Sequence, residues 1–230
     1  GKIFDPVAGG DALLELDGCG GSLAAFTDPA TGESRLVSGS NDVRVWNPAA
    51  SGAAIEAEAE GHSRSVTDLM TFVDPATGSL RVATGSYDKT IRVWDAETGG
   101  ALLVIDVGSP VKALAFFVDP VTGAPRLACG GGFMKKKVRV FDPVAGGEAL
   151  LVLEGHTRRV TALAAFTDPA TGELRLVSAS SAVSVGDIRV WNPAASDAAI
   201  EAEPEGHSSP VTELVTFVEP ATGALRVATG

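Results

Sequence analysis

Short stretches in which large apolar side chains alternate with polar ones run the length of the chain, each bounded by Gly, Pro, Asp or Asn. Ile91-Arg92-Val93-Trp94 shows the period of two expected of a half-buried strand. Ser65 to Val73 reads as a strand entering the turn Asp74-Pro75-Ala76-Thr77-Gly78, and Leu80 to Thr84 follows as its partner. The polar turn Ser86-Tyr87-Asp88-Lys89 leads to the third strand, and Asp95 to Gly100 turns the chain into a fourth, Ala101 to Ile105. No window keeps a 3.6-residue apolar period long enough for a helix. The expectation is an all-β chain of meandering four-stranded antiparallel sheets.

The same pattern repeats, and a fixed long period constrains architecture more strongly than local propensity. Val43-Arg44-Val45-Trp46-Asn47-Pro48 recurs at Ile91–Asp95, Val138–Pro143 and Ile188–Pro193, and in shortened form at Lys2–Pro6. Asp28-Pro29-Ala30-Thr31-Gly32 recurs at Asp74, Asp119 and Asp168, and with Glu for Asp at Glu219. Two hundred and thirty residues thus divide into five units of about 46, and residues 1–230 form a single domain. Units one and four are alike, as are two and five, which points to duplication of a three-unit block and keeps a larger parent ring open. Sheets of this kind cannot each cover both faces alone, so they stack radially around an axis.

With Gly61-His62, Gly155-His156 and Gly206-His207 ahead of first strands, and Thr84, Asp88, Trp94 and Asp95 in phase, the sequence resembles the WD-repeat (WD40) β-propeller family over essentially its whole length. The resemblance implies a five-bladed propeller. The chain starts at a third strand and stops after a second, so pairing N-terminal with C-terminal strands is expected to close the ring and remove two open edges. It also implies a structural hydrogen-bond set: His62, Thr84, Asp88 and Trp94 in one unit, and His156, Ser178, Asp187 and Trp191 in another, with Asp187 displaced by the insertion Ser181 to Gly186. The first unit offers Ser38, Asp42 and Trp46 but Cys19 near the histidine place.

Catalytic readings fare poorly. The three histidines occupy one repeat position on different units, so they do not converge on a substrate. Cys19 and Cys129 have no partners at zinc-ligand spacing, and each Asp-Pro-Ala-Thr-Gly loop brings a single acid, too few for calcium. That acid and the Arg after it (Asp28/Arg35, Asp74/Arg81, Asp119/Arg126, Asp168/Arg175, Glu219/Arg226) read as cross-strand pairs. Gly130-Gly131-Gly132 lacks the following helix of a phosphate-binding loop. Asp68 and Glu213, at equivalent first-strand positions facing the central channel, are the one carboxylate pair suited to a carbohydrate-binding or glycoside-cleaving alternative. The chain is therefore expected not to be an enzyme, and to use no cofactor and no metal.

Charge changes the picture. Twenty-nine acids against 18 bases give a net charge of −11, which disfavours a phosphate-backbone binder. Yet Arg64, Lys89, Lys135, Lys136, Lys137, Arg158 and Arg159 fall in loops expected to share one face. They form a candidate patch for acidic or phosphorylated protein segments, since clustered cations pair with such groups through charge-assisted hydrogen bonds. The functional expectation is a protein–protein interaction scaffold, a monomeric propeller within a larger complex. A further alternative is an engineered or recently amplified repeat whose copies have not diverged into a site. With no long apolar run, no opening signal pattern and two lone cysteines, the expected setting is intracellular and cytoplasmic, without nucleic-acid or membrane partners.

Overall fold

The computed structural model describes residues 1–16, 21–28, 31–41, 43–48, 54–55, 61–132, 136–169, 171–182, 185–194, 200–202 and 211–230. Cys19, Asp42, Lys135 and His207, singled out above, lie outside the described residues. The described elements are all strands: β1 (Lys2–Ile3) and β2 (Leu14–Glu15); then β3 (Ser22–Thr27), β4 (Ser34–Gly39), β5 (Val43–Trp46) and β6 (Ala54–Ile55). The second unit holds β7 (Val66–Val73), β8 (Leu80–Ser86), β9 (Thr90–Asp95) and β10 (Ala101–Asp106). The third holds β11 (Val111–Val118), β12 (Pro125–Gly131), β13 (Val138–Phe141) and β14 (Leu151–Leu153). The fourth holds β15 (Arg159–Thr167), β16 (Leu174–Ala182), β17 (Val185–Trp191) and β18 (Ile200–Ala202), and β19 (Leu214–Val218) and β20 (Leu225–Thr229) follow.

These strands make four four-stranded antiparallel meanders, each in sequence order, and two two-stranded sheets, β1–β2 and β19–β20. The hairpin between first and second strands is the same loop five times over. The glycine amide bonds back to the acid's carbonyl at 2.7–2.8 Å in every copy. Gly32, Gly78, Gly123, Gly172 and Gly223 all sit at φ of 68–72°, where an L side chain is strained and glycine is not.

The core lies between consecutive sheets. Val37, Val45, Val82 and Trp94 fill the first gap, Ala83, Ile91, Val111 and Leu127 the second, and Ala128, Val140, Leu176 and Trp191 the third. Val177 and Ala179 pack with Val211 in the fourth. At the inner edge the fit is close: a Cβ on Gly85 would lie 2.4 Å from Val111 Cγ1, and one on Gly130 2.4 Å from Val160 Cγ1. Glycine there lets the second strand of one sheet meet the first strand of the next.

The expected closure is not formed. β20 pairs with β19 and β1 with β2, and no ladder joins these two sheets among the described residues. With β1 only two residues long, such a ladder would offer at most two backbone pairings. The face that β19–β20 turns away from the fourth sheet is correspondingly open: Phe217 is 46% exposed, whereas Phe72 and Phe117 at the equivalent positions are 4% and 7% exposed.

Candidate functional site at the central cavity

First strands of successive sheets lie side by side, so residues of β3, β7, β11, β15 and β19 line one cavity of about 1090 Å³. A β-bulge falls at the same place in three of them, between Val66 and Asp68, between Val111 and Ala113, and between Val160 and Ala162. Bulges re-aim side chains, and here the residues concerned are Thr67, Lys112 and Thr161, all three in the cavity wall. The threonines reach across to the next sheet: Thr67 Oγ1 donates to the Val111 carbonyl at 2.7 Å and Thr161 Oγ1 to that of Val211 at 2.6 Å. Lys112 instead holds its ammonium 5.4 Å from the Tyr87 ring centroid, a cation–π distance.

The candidate basic residues separate. Lys136, Arg158 and Arg159 line the cavity together with Lys112. Lys137 is bonded to the Glu154 carboxylate, and Arg64 and Lys89, both exposed on the second unit, are not among the lining residues. Lys89 adopts φ of 76° in its turn. Lys112 was not among the sequence candidates. The signal available for it is that a lysine stands where the other units have Thr67, Thr161 and Thr212.

Asp68 and Glu213 line the same cavity. Asp68 accepts the Leu69 amide at 2.9 Å on Oδ1 and, across the gap, the Leu114 amide at 2.7 Å on Oδ2. Burial pushes its carboxyl up to about 6, against the pull of those amides and of Lys112. A raised acid is what a sugar-cleaving site would need, but both oxygens are engaged by backbone amides, and no aromatic side chain lines the cavity among the described residues. Among the described residues no group of three or more His, Cys, Asp or Glu is placed to hold a metal ion.

The histidine sets lie away from this cavity. His62 Nδ1–H donates to Asp88 Oδ2 at 2.8 Å, which leaves Nε2 to accept from the Thr84 hydroxyl at 2.8 Å, and Thr84 Oγ1 accepts from Trp94 Nε1 at 2.9 Å. His156, Asp187, Ser178 and Trp191 repeat the arrangement, with Ser178 Oγ 2.5 Å from His156 Nε2 and 2.7 Å from Trp191 Nε1. The insertion extends the β16–β17 hairpin, pairing Ser180 with Asp187 and Ala182 with Val185, so Asp187 still reaches His156 at 2.9 Å. In the first unit Trp46 Nε1 donates to Ser38 Oγ at 2.8 Å. Burial holds His62 below its ordinary value despite the neighbouring Asp88. Burial pushes Asp88 up, but hydrogen bonds from Thr90 and His62 outweigh it and leave the carboxyl low.

The loop acids depart in part from simple cross-strand pairing. Arg35 lies 3.8 Å from Asp28, Arg126 3.8 Å from Asp119 and Arg226 2.9 Å from Glu219. Arg81, however, turns to Asp95 at 2.5 Å, and other acids share the arginines elsewhere: Arg35 also meets Glu33 at 2.8 Å, Arg126 Asp142 at 3.6 Å and Arg175 Glu173 at 2.6 Å. Asp74, 3% exposed, accepts from its own loop, from the Ala76 amide and the Thr77 hydroxyl.

Comparison with known proteins places these features. A family model described as "WD domain, G-beta repeat" matches residues 56–95. A protein of Xenopus tropicalis, "U3 small nucleolar RNA-associated protein 15 homolog", is 32% identical over 181 residues, covering 78% of this chain and 32% of its own length. The Xenopus laevis protein of the same name is 29% identical over 164 residues, covering 70% and 29%, and that of Gallus gallus is 34% identical over 77 residues, covering 34% and 14%. The chain spans about a third of the length of the two frog relatives. Two expectations fall with these names. Relatives named for association with a small nucleolar RNA overturn both the absence of nucleic-acid partners and the cytoplasmic setting. The physical reason is that net charge describes a chain averaged over its surface, and says nothing of an assembly in which other chains contact the RNA.

Proposed function

The chain is a WD-repeat protein, and from that premise we propose that it is a non-catalytic scaffold that holds protein partners on its loop face within an RNA-containing assembly. The observation that carries this reading is the convergence of five first strands on one cavity whose wall includes Lys112, Lys136, Arg158 and Arg159. A stack of sheets with cores in every gap is a stiff platform, and clustered cations on it favour acidic or phosphorylated protein segments. The relatives supply the class of assembly, since their names record association with U3 small nucleolar RNA. The test is capture of the tagged chain from cells that express it, with and without ribonuclease, followed by mass spectrometry and RNA sequencing. The scaffold reading expects a defined set of proteins that survives ribonuclease, and small nucleolar RNA before it. Recovery of no protein above control, or loss of every protein with the RNA, would refute it.

A further inference from the structure

The charges around the cavity are segregated, and the segregation goes beyond a generally basic face. Lys112 and Lys136 come from the third unit and Arg158 and Arg159 from the fourth, so the cations of the cavity wall fall in an arc on two adjacent units. An acid borders the arc on each side, Asp68 on β7 and Glu213 just before β19. The bulge in β11 falls at Lys112, which lines the cavity with its ammonium over the Tyr87 ring. Lys137, next to Lys136 in sequence, is committed to Glu154 and stays out of the arc.

We propose that the Lys112–Lys136–Arg158–Arg159 arc binds the anionic side chains of a short acidic peptide segment inserted into the cavity mouth. This rests on the scaffold reading and names the ligand class for one of its surfaces. A cavity of about 1090 Å³ exceeds what a single inorganic ion fills and is at the upper end of pockets that enclose small ligands, roughly 300–1,000 Å³. Two features favour peptide over a nucleic-acid strand at this place. Single strands are held by stacking bases on aromatic rings, and none lines the cavity among the described residues. A continuous phosphate chain leaving the arc would also run against Asp68 or Glu213, whereas a peptide can place neutral or basic residues there. Carboxylate and phosphoryl groups share the required chemistry, anionic oxygens accepting from Lys and Arg, and the experiment separates them.

The experiment is fluorescence anisotropy with the full 230-residue chain and four probes: a ten-residue Glu/Asp-rich peptide, the same peptide carrying one phosphoserine, its Gln/Asn counterpart, and oligouridine. The acidic peptide is expected to bind and weaken with added salt, the Gln/Asn peptide not to bind, and a tighter phosphoserine probe would identify phosphoryl as the better occupant. Lys136→Glu and Arg158→Glu, both at exposed positions, are expected to weaken acidic binding at least ten-fold. Glu213→Gln should tighten it several-fold, and Arg64→Glu, off the cavity, should leave it unchanged. Should a charge reversal disturb folding by circular dichroism, Arg158→Gln and Lys136→Gln replace them with a several-fold loss expected. Binding that ignores the cavity variants but is lost with Arg64→Glu overturns the inference while leaving a loop-face scaffold intact. Tighter oligouridine binding that depends on the same cations overturns it in favour of RNA. Failure to capture any protein partner is the separate result that removes the scaffold reading.

Discussion

Replacing Thr84 by valine keeps the shape of a fully buried side chain and deletes one oxygen. That oxygen accepts from Trp94 Nε1 at 2.9 Å and, as a hydroxyl, satisfies His62 Nε2 at 2.8 Å, so Thr84→Val orphans a donor and an acceptor together. Leaving a buried polar group unpaired costs about 1–3 kcal/mol, and the added methyl recovers up to ~0.8 kcal/mol, so two orphaned groups bring a net loss of roughly 1–5 kcal/mol. Ser178→Ala cuts the same two contacts in the fourth unit and should fall in that range. Ser38→Ala removes the acceptor of Trp46 and should cost less, about 1–2 kcal/mol. Because repeat arrays open locally, the readout is hydrogen exchange of amides in β8, β9 and β16, supported by urea unfolding followed by tryptophan fluorescence. If Thr84→Val lowers local stability by less than about 1 kcal/mol, the unpaired-group estimate is wrong. If the loss equals that of Ser38→Ala, the hydroxyl does not serve two partners.

Two further predictions concern the joints between sheets. Asp68 titrates near 6 in the folded protein and at 3.8 unfolded, so between these values the folded state binds more protons and stability rises as pH falls. The ionised carboxylate therefore costs the folded state on the order of 3 kcal/mol at pH 7, and the pH dependence of urea unfolding between pH 7.5 and 4.5 should lose this component in Asp68→Asn; identical curves would show that burial does not raise the group. Gly85→Ala places a Cβ against Val111 and should destabilise by about 1–3 kcal/mol, with Val111→Ala restoring part of the loss in the double variant, as thermal melts would report. Additive losses would mean the two residues do not share the gap.

Much of the fold was legible because the repeat writes the same instruction several times. The Asp-Pro-Ala-Thr-Gly loop names its own turn, with glycine at the positive φ, and the alternation in Ile91-Arg92-Val93 places Ile91 and Val93 together in one gap, while Trp94 is buried in the gap on the other face. The histidine sets were legible for the same reason: His62 and Thr84 sit 22 residues apart, as do His156 and Ser178. The site was harder to read where units differ. Lys112 occupies a bulge, and a bulge leaves no mark on the apolar period. Lys137 reads like its neighbours Lys135 and Lys136 until Glu154, on the far side of a hairpin, claims it. Asp74 and Arg81 face the same hairpin base in sequence, yet Asp95 competes for the guanidinium from β9, and competition between partners is decided in space.

The glycine–valine contacts at the inner edge bear on how such a chain changes over generations. Gly85 belongs to one unit and Val111 to the next, as do Gly130 and Val160, so neither residue can be judged inside its own repeat. A unit transplanted singly would carry half of two different joints and meet strangers at both sides. Copying several consecutive units preserves the internal joints and exposes new ones only at the seams, which fits the likeness of units one and four and of two and five. The fourth joint has Ala179 rather than glycine beside Val211, although by that likeness it corresponds to the first, where Gly39 meets Val66, so single joints also change after copying.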